Sequence, residues 1–225
     1  MKALPVQRAL DQLAVLEKEY PRWQAAVLDL LAVETENPFK ILISTILSLR
    51  TKDQTTAQAS ARLYALADTP EKILHLETKT LEKLIYPVGF YHTKARQIQR
   101  ICAILLDKYN GEVPADFETL LSFPGVGRKT ANLVMALGFN QPAICVDTHV
   151  HRISNRLGWV QTASPEETEY ALQAVFPAAR WSAINKIIVA FGQTICRPIG
   201  PRCAECVLAP PGAVARGGKA ICPAG

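Results

Sequence analysis

The sequence from 121 to 149 reads Leu121-Ser122-Phe123-Pro124-Gly125-Val126-Gly127-Arg128-Lys129-Thr130-Ala131-Asn132, then an apolar run, then Val146-Asp147-Thr148-His149. Pro-Gly-Val-Gly predicts a tight turn, because glycine supplies backbone shapes that side chains resist. A helix is predicted to begin at once, with Lys129 in its first turn, and Asp147 stands directly ahead of another. Upstream, Asp116 is a natural cap for a short helix over 117–122. Short helix, glycine turn and second helix together make a helix-hairpin-helix over about 117–138.

Working outward, the same signals repeat. Leu10, Leu13, Ala14 and Glu17 fall at helical spacing in 6–20, Pro21 follows, and a second helix is predicted over 22–32. Asn37-Pro38 opens a strongly apolar helix over 39–49, which should be buried on most sides. An amphipathic helix covers 53–66. Pro70 starts the first of two short helices reaching Tyr86, with Asp68 and Thr69 as candidate caps. Pro87 to Tyr91 is a turn, and 93–109 is a long helix ended by Asn110-Gly111. Beyond Asp147 a helix runs to Leu157. Ser164-Pro-Glu-Glu167 is a capping box opening the next, and a last helix covers about 179–196. No alternating strand and no repeat is found, so the fold class is all-α. The tail from Val207 reads as loop.

Composition bounds the alternatives. The 225 residues are 49% apolar and 20% charged, which is a globular balance that disorder does not share. A net charge of +5, from 25 basic and 20 acidic residues, suits a polyanionic partner without demanding one. The N-terminus Met1-Lys2-Ala3-Leu4-Pro5 places charge where a secretion signal needs an apolar core, and no apolar run nears the roughly 20 residues of a membrane helix. The expectation is a cytoplasmic monomer with no membrane partner. In a reducing compartment six cysteines point away from disulfides.

Several of these residues can carry chemistry. Backbone amides at Gly125, Val126 and Gly127, with the positive end of the following helix, form a site for an anion such as a nucleic-acid phosphate. The bland alternative is a tight helix connection without a ligand. Lys129 is either one more phosphate contact or a nucleophile, since the helix dipole and Arg128 both disfavour its charged form. Asp147 reads as a helix cap, a position that also keeps a carboxylate ionised beside a developing sugar cation. His149 is either a satisfied polar residue or a DNA contact. Cys196, Cys203, Cys206 and Cys222, spaced C-x6-C-x2-C-x15-C, can hold zinc or a [4Fe–4S] cluster, and spacing alone does not choose. Cys102 and Cys145 are better read as buried core thiols.

Taken together, Phe-Pro-Gly-Val-Gly-Arg-Lys-Thr-Ala-Asn, then Val-Asp-Thr-His, and C-x6-C-x2-C resemble the endonuclease III family of base-excision DNA glycosylases. The resemblance extends from Asn37-Pro38-Phe39 to the terminal cysteines. It implies a two-domain helical fold with a DNA cleft between the domains: a six-helix barrel over 31–141, and a cluster domain built from 1–30 and 142–225. It implies an enzyme that binds damaged double-stranded DNA, works at the nucleoid, removes oxidised pyrimidines and nicks the strand. Lys129 falls on the family's Schiff-base lysine and Asp147 on its catalytic aspartate. Arg50 and Phe90 fall where side chains enter the duplex around the extruded nucleotide, although better-known members carry glutamine and leucine there. The resemblance favours [4Fe–4S] over zinc, with Cys222 further along the chain than the usual fourth ligand. A monofunctional mismatch glycosylase would share Asp147 and the cysteines but typically lacks the lysine. A DNA-binding protein without activity would need only the hairpin, and a zinc-stabilised adaptor only the cysteines.

Overall fold

The structure, a computed structural model, describes residues 5–24 and 37–209. Those residues form eleven α-helices and no strand, as an all-α chain should. They divide into two compact units, one holding 37–141 and the other holding 5–24 with 142–209.

In the first unit the organising element is α2 (Pro38–Ser48). Asn37 starts it, its side chain accepting from the amides of Phe39 and Lys40, and Pro38 occupies the first turn, where its missing N–H is harmless. Phe39, Ile41, Leu42, Ile43, Ile46 and Leu47 are all buried, so α2 has almost no solvent face. Each such side chain contributes about 1.5–3 kcal/mol on leaving water. The polar groups on α2 are satisfied locally: Thr45 donates to Ile41 O at 2.7 Å, and Ser44 meets the Tyr64 hydroxyl at 2.7 Å. Around α2 pack α3 (Asp53–Leu66), α6 (Tyr91–Tyr109) and α8 (Arg128–Gly138). Two short helices, α4 (Pro70–Leu74) and α5 (Thr78–Ile85), cover α6. Thr69, not Asp68, caps α4, while Asp68 pairs with Lys72 at 2.8 Å. Asn110 ends α6 in the left-handed conformation. Asp116 caps α7 (Phe117–Ser122) by accepting from the Thr119 amide at 2.8 Å.

The second unit begins with α1 (Val6–Gln24), which corrects the sequence expectation of a break at Pro21. Proline forbids one hydrogen bond and crowds the preceding turn, but close to a helix end that disturbance is small enough to be carried. The remainder of the helix expected over 22–32 lies outside the described residues. Ala9, Leu13 and Leu16 of α1 join one core with Val150 and Ile153 of α9 (Thr148–Arg156), Leu172 of α10 (Pro165–Val175), and Ile184, Ile187, Ile188 and Phe191 of α11 (Trp181–Thr194). Trp159 is fully buried and its indole N–H donates to Gln12 at 2.7 Å, a bond spanning 147 positions. Arg180 grips both oxygens of Glu17 at 2.7 Å. Ser164 caps α10, but the returning arm of the expected capping box differs: Glu167 accepts from Ala163 N at 2.8 Å, one residue before the cap. A 3-10 turn, Ala178–Arg180, precedes α11, so the last helix starts later than predicted.

Candidate active site

The hairpin between α7 and α8 is built as the glycine pattern requires. Gly125 has φ +81°, a backbone that favours glycine, and a Cβ there would lie 2.6 Å from the Gln97 side-chain amide of α6, which would have to move aside. Gly127 is different. Its φ of −105° is extended, and a Cβ would meet nothing within 4 Å, so its open side faces outward. No side chain caps α8, and the first-turn amides of a helix have no partner inside it. Val126 contributes less than expected, because its amide donates to Phe123 O at 3.1 Å and its side chain is buried. The candidates to meet an anion are therefore Gly127 and the backbone of the first turn of α8 rather than Val126.

Lys129 is exposed in that first turn. The Arg128 guanidinium lies 5.0 Å from the centre of the Phe117 ring. One neighbour was absent from the sequence reading: Asp53, at the first position of α3. Burial raises the Asp53 carboxyl above the ordinary carboxylate range, and the Lys129 charge draws it back. Only the approach of α3 to α8 in space could have revealed it.

Arg50 and Phe90, predicted to act together, are together. Both are exposed, and the guanidinium lies 5.6 Å from the ring centre. Both have left-handed backbones, φ 53° and 58°, a conformation that side chains adopt at a cost.

In the second unit, Asp147 is the cap of α9, accepting from Val150 N at 2.8 Å. His149, two residues on, meets Arg152 Nη2 through its Nδ1 at 3.1 Å. Arg152 also donates to Cys196 O at 2.7 Å, and Arg156 points Nη1 at Cys196 Sγ at 3.4 Å. Burial lowers the Arg152 pKa, while the Cys196 sulfur opposes that shift. A thiolate at Cys196 would face Arg156 Nη1 at 3.4 Å and, further off, Arg152 Nη1 at 4.0 Å. Cys206 is pushed up by burial and also by the Cys196 and Cys203 sulfurs near it. Cys102 and Cys145 are buried as expected, and burial raises the Cys102 thiol to about 12, which leaves it inert. Cys222 lies outside the described residues. Among the described residues no three His, Cys, Asp or Glu side chains form a ready-made metal cage. No helix among them is long and apolar enough to cross a membrane.

The glycine at 192 completes this face. A Cβ there would fall 2.5 Å from His149 Nδ1 and 2.8 Å from Ile153 Cδ1, so α11 lies against α9 only because position 192 has no side chain. Nothing in the local pattern around Gly192 marks it.

Comparison with known proteins agrees with this geometry. Residues 43–178 match the profile of the HhH-GPD superfamily base excision DNA repair proteins. The chain is 51% identical to endonuclease III of Thermotoga maritima over 172 residues, covering 76% of this chain and 81% of that protein. It is 48% identical to the chloroplastic endonuclease III homolog 1 of Arabidopsis thaliana, covering 76% of this chain but 48% of that longer protein. A solved structure of a trapped endonuclease III–DNA covalent intermediate superposes with a TM-score of 0.81 at 38% identity, covering 91% of this chain and 94% of that one. The chain belongs to the HhH-GPD superfamily of base excision DNA repair proteins and, within it, to the endonuclease III family.

Proposed function

We propose that the protein is a bifunctional DNA glycosylase and AP lyase that removes oxidised pyrimidines from duplex DNA in the cytoplasm, at the nucleoid. The observation that carries this reading is Lys129: an exposed amine in the first turn of an uncapped helix, immediately after a glycine open to the outside. That arrangement holds a phosphate on Gly127 and the first-turn amides and presents the amine to the adjacent sugar.

The chemistry then follows. The Lys129 amine attacks C1′, the C1′–N bond breaks, and its electrons leave with the base, which takes up a proton. The lysine nitrogen loses a proton and the opened sugar becomes a protonated Schiff base. Loss of a C2′ proton drives β-elimination: the C3′–O bond breaks, the 3′ strand departs as a phosphate, and water releases Lys129. Asp147, which accepts from the Val150 amide, offsets positive charge on the sugar. His149, which contacts Arg152 through Nδ1, would meet the DNA backbone. Arg50 and Phe90 fill the space of the extruded nucleotide.

Cys196, Cys203, Cys206 and Cys222 would hold a [4Fe–4S] cluster, and the two arginines at Cys196 fit an anionic thiolate there. When bound, the cluster would supply a rigid tie for the loop beyond α11, not chemistry at the sugar. Arg197 and Arg202 on that loop would meet the DNA backbone.

The test is borohydride added during reaction with thymine-glycol duplex. Wild type should give a covalent protein–DNA adduct, because hydride reduces the Schiff base to a stable amine. An equal yield from Lys129→Ala, or none from wild type, would refute the lysine mechanism.

A further inference from the structure

Lys94, in the first turn of α6, is among the most buried charged residues of those described, at 4% exposed. Its ammonium meets three oxygens, none of them a carboxylate: Leu47 O at 2.9 Å, Leu49 O at 2.5 Å and Thr51 Oγ1 at 3.3 Å. The first two are carbonyls at the end of α2 and just past it, and the third closes the turn that contains Arg50. Burial pulls the Lys94 pKa down to about 8, so the cation sits there against its preference for water. A lysine serving only to end α2 could do so from the surface, where charge near a helix C-terminus is favourable at little cost.

The position of the other wedge residue explains the arrangement. The Lys94 amide donates to Phe90 O at 3.0 Å, so one residue holds the Phe90 turn by its backbone and the Arg50 turn by its side chain. Thr51 adds a second tie by accepting from Gly89 N at 3.1 Å through the same hydroxyl. The two turns are in such close contact that a Cβ at Gly89 would lie 2.7 Å from Arg50 O. Both wedge residues are in left-handed backbone conformations that the surrounding structure must enforce.

We propose that Lys94 is a positioning residue: its ammonium straps the Arg50 and Phe90 turns together, so that the two side chains meet DNA as one preformed wedge. The proposal rests on the reading that Arg50 and Phe90 enter the duplex. Preforming the wedge removes the ordering that would otherwise oppose extrusion at the moment of binding. The strap should therefore matter for steps that need extrusion of a stacked, paired base, and much less for nicking at a site that already lacks its base.

The test uses the whole protein as purified and a duplex carrying 2-aminopurine opposite a tetrahydrofuran abasic analogue. Fluorescence of the 2-aminopurine rises when the opposite base is unstacked by an inserted wedge, and this arm needs no catalysis. Lys94→Met keeps length and apolar volume while removing the three bonds. It should lower the fluorescence rise, slow thymine-glycol release by about tenfold to a hundredfold, the scale of a misplacement near 1 Å, and slow nicking of a preformed abasic site by less than it slows base release. Combined with Arg50→Ala and Phe90→Ala, it should add nothing further to the fluorescence defect. A normal fluorescence rise in Lys94→Met, beside a defective Arg50→Ala/Phe90→Ala protein, overturns the strap. A normal rise in the Arg50→Ala/Phe90→Ala protein itself overturns the wedge reading and the strap with it. If Lys94→Met does not fold, Thr51→Val decides, since it removes the hydroxyl shared by Lys94 and Gly89: a smaller defect of the same kind supports the strap, and none overturns it.

Discussion

Gly192→Ala sets helix propensity directly against packing between α11 and α9. Replacing a glycine inside a helix by alanine favours the variant by about 1 kcal/mol, because the unfolded chain has less freedom to lose. Against this, the new methyl would fall 2.5 Å from His149 Nδ1, 2.8 Å from Ile153 Cδ1 and 3.1 Å from His149 Cγ. Comfortable separations begin near 3.5 Å, so the intrusion is about 1 Å on two side chains. Overpacking of that kind costs about 1–3 kcal/mol. Retreat of the imidazole strains its 3.1 Å bond to Arg152, and a hydrogen bond to a charged group is worth about 1.5 kcal/mol at the low end of its range. Packing wins, and the variant is less stable by about 2 kcal/mol, which lowers Tm by about 4–8 °C for a chain of this size. Thermal unfolding followed by circular dichroism measures it. Because Asp147 caps α9, base release should slow as well, by about tenfold if the cap shifts by a fraction of an ångström. A variant with Tm equal to or above wild type would show that propensity outweighs the close approach, and the account of this face would be wrong.

Two further substitutions separate binding and chemistry from folding. Gly127→Ala has an allowed backbone and an empty space for its methyl, so Tm should stay within about 2 °C of wild type, as for a surface change. Its affinity for duplex DNA should fall, because the methyl occupies the side from which a phosphate would approach; unchanged affinity in a salt-controlled titration argues against that approach. Asp147→Asn should keep the helix cap, since Asn caps as well as Asp, and lose the negative charge. Base release should drop by about a hundredfold or more with Tm nearly constant; a loss of Tm with normal turnover would reduce Asp147 to a cap.

Much of this protein was legible locally. Asn37, Thr69, Asp116, Asp147 and Ser164 each cap a helix where expected, because a cap is a bond between residues two or three apart and needs no other part of the chain. The hairpin glycines, the all-buried α2 and the inert Cys102 were equally readable, being consequences of spacing and composition. Pro21 misled because a breaker near a helix end is overruled by the core that Trp23 joins beyond it. The tertiary structure alone decided that Asp53 lies near Lys129 and that Gln12 bonds Trp159. It alone decided that Gly192 admits His149, and that Lys94 turns inward to bind the Arg50 turn. Each of these is a meeting of segments distant in sequence, set by which surfaces fit at close range. No periodicity within a single helix carries that information.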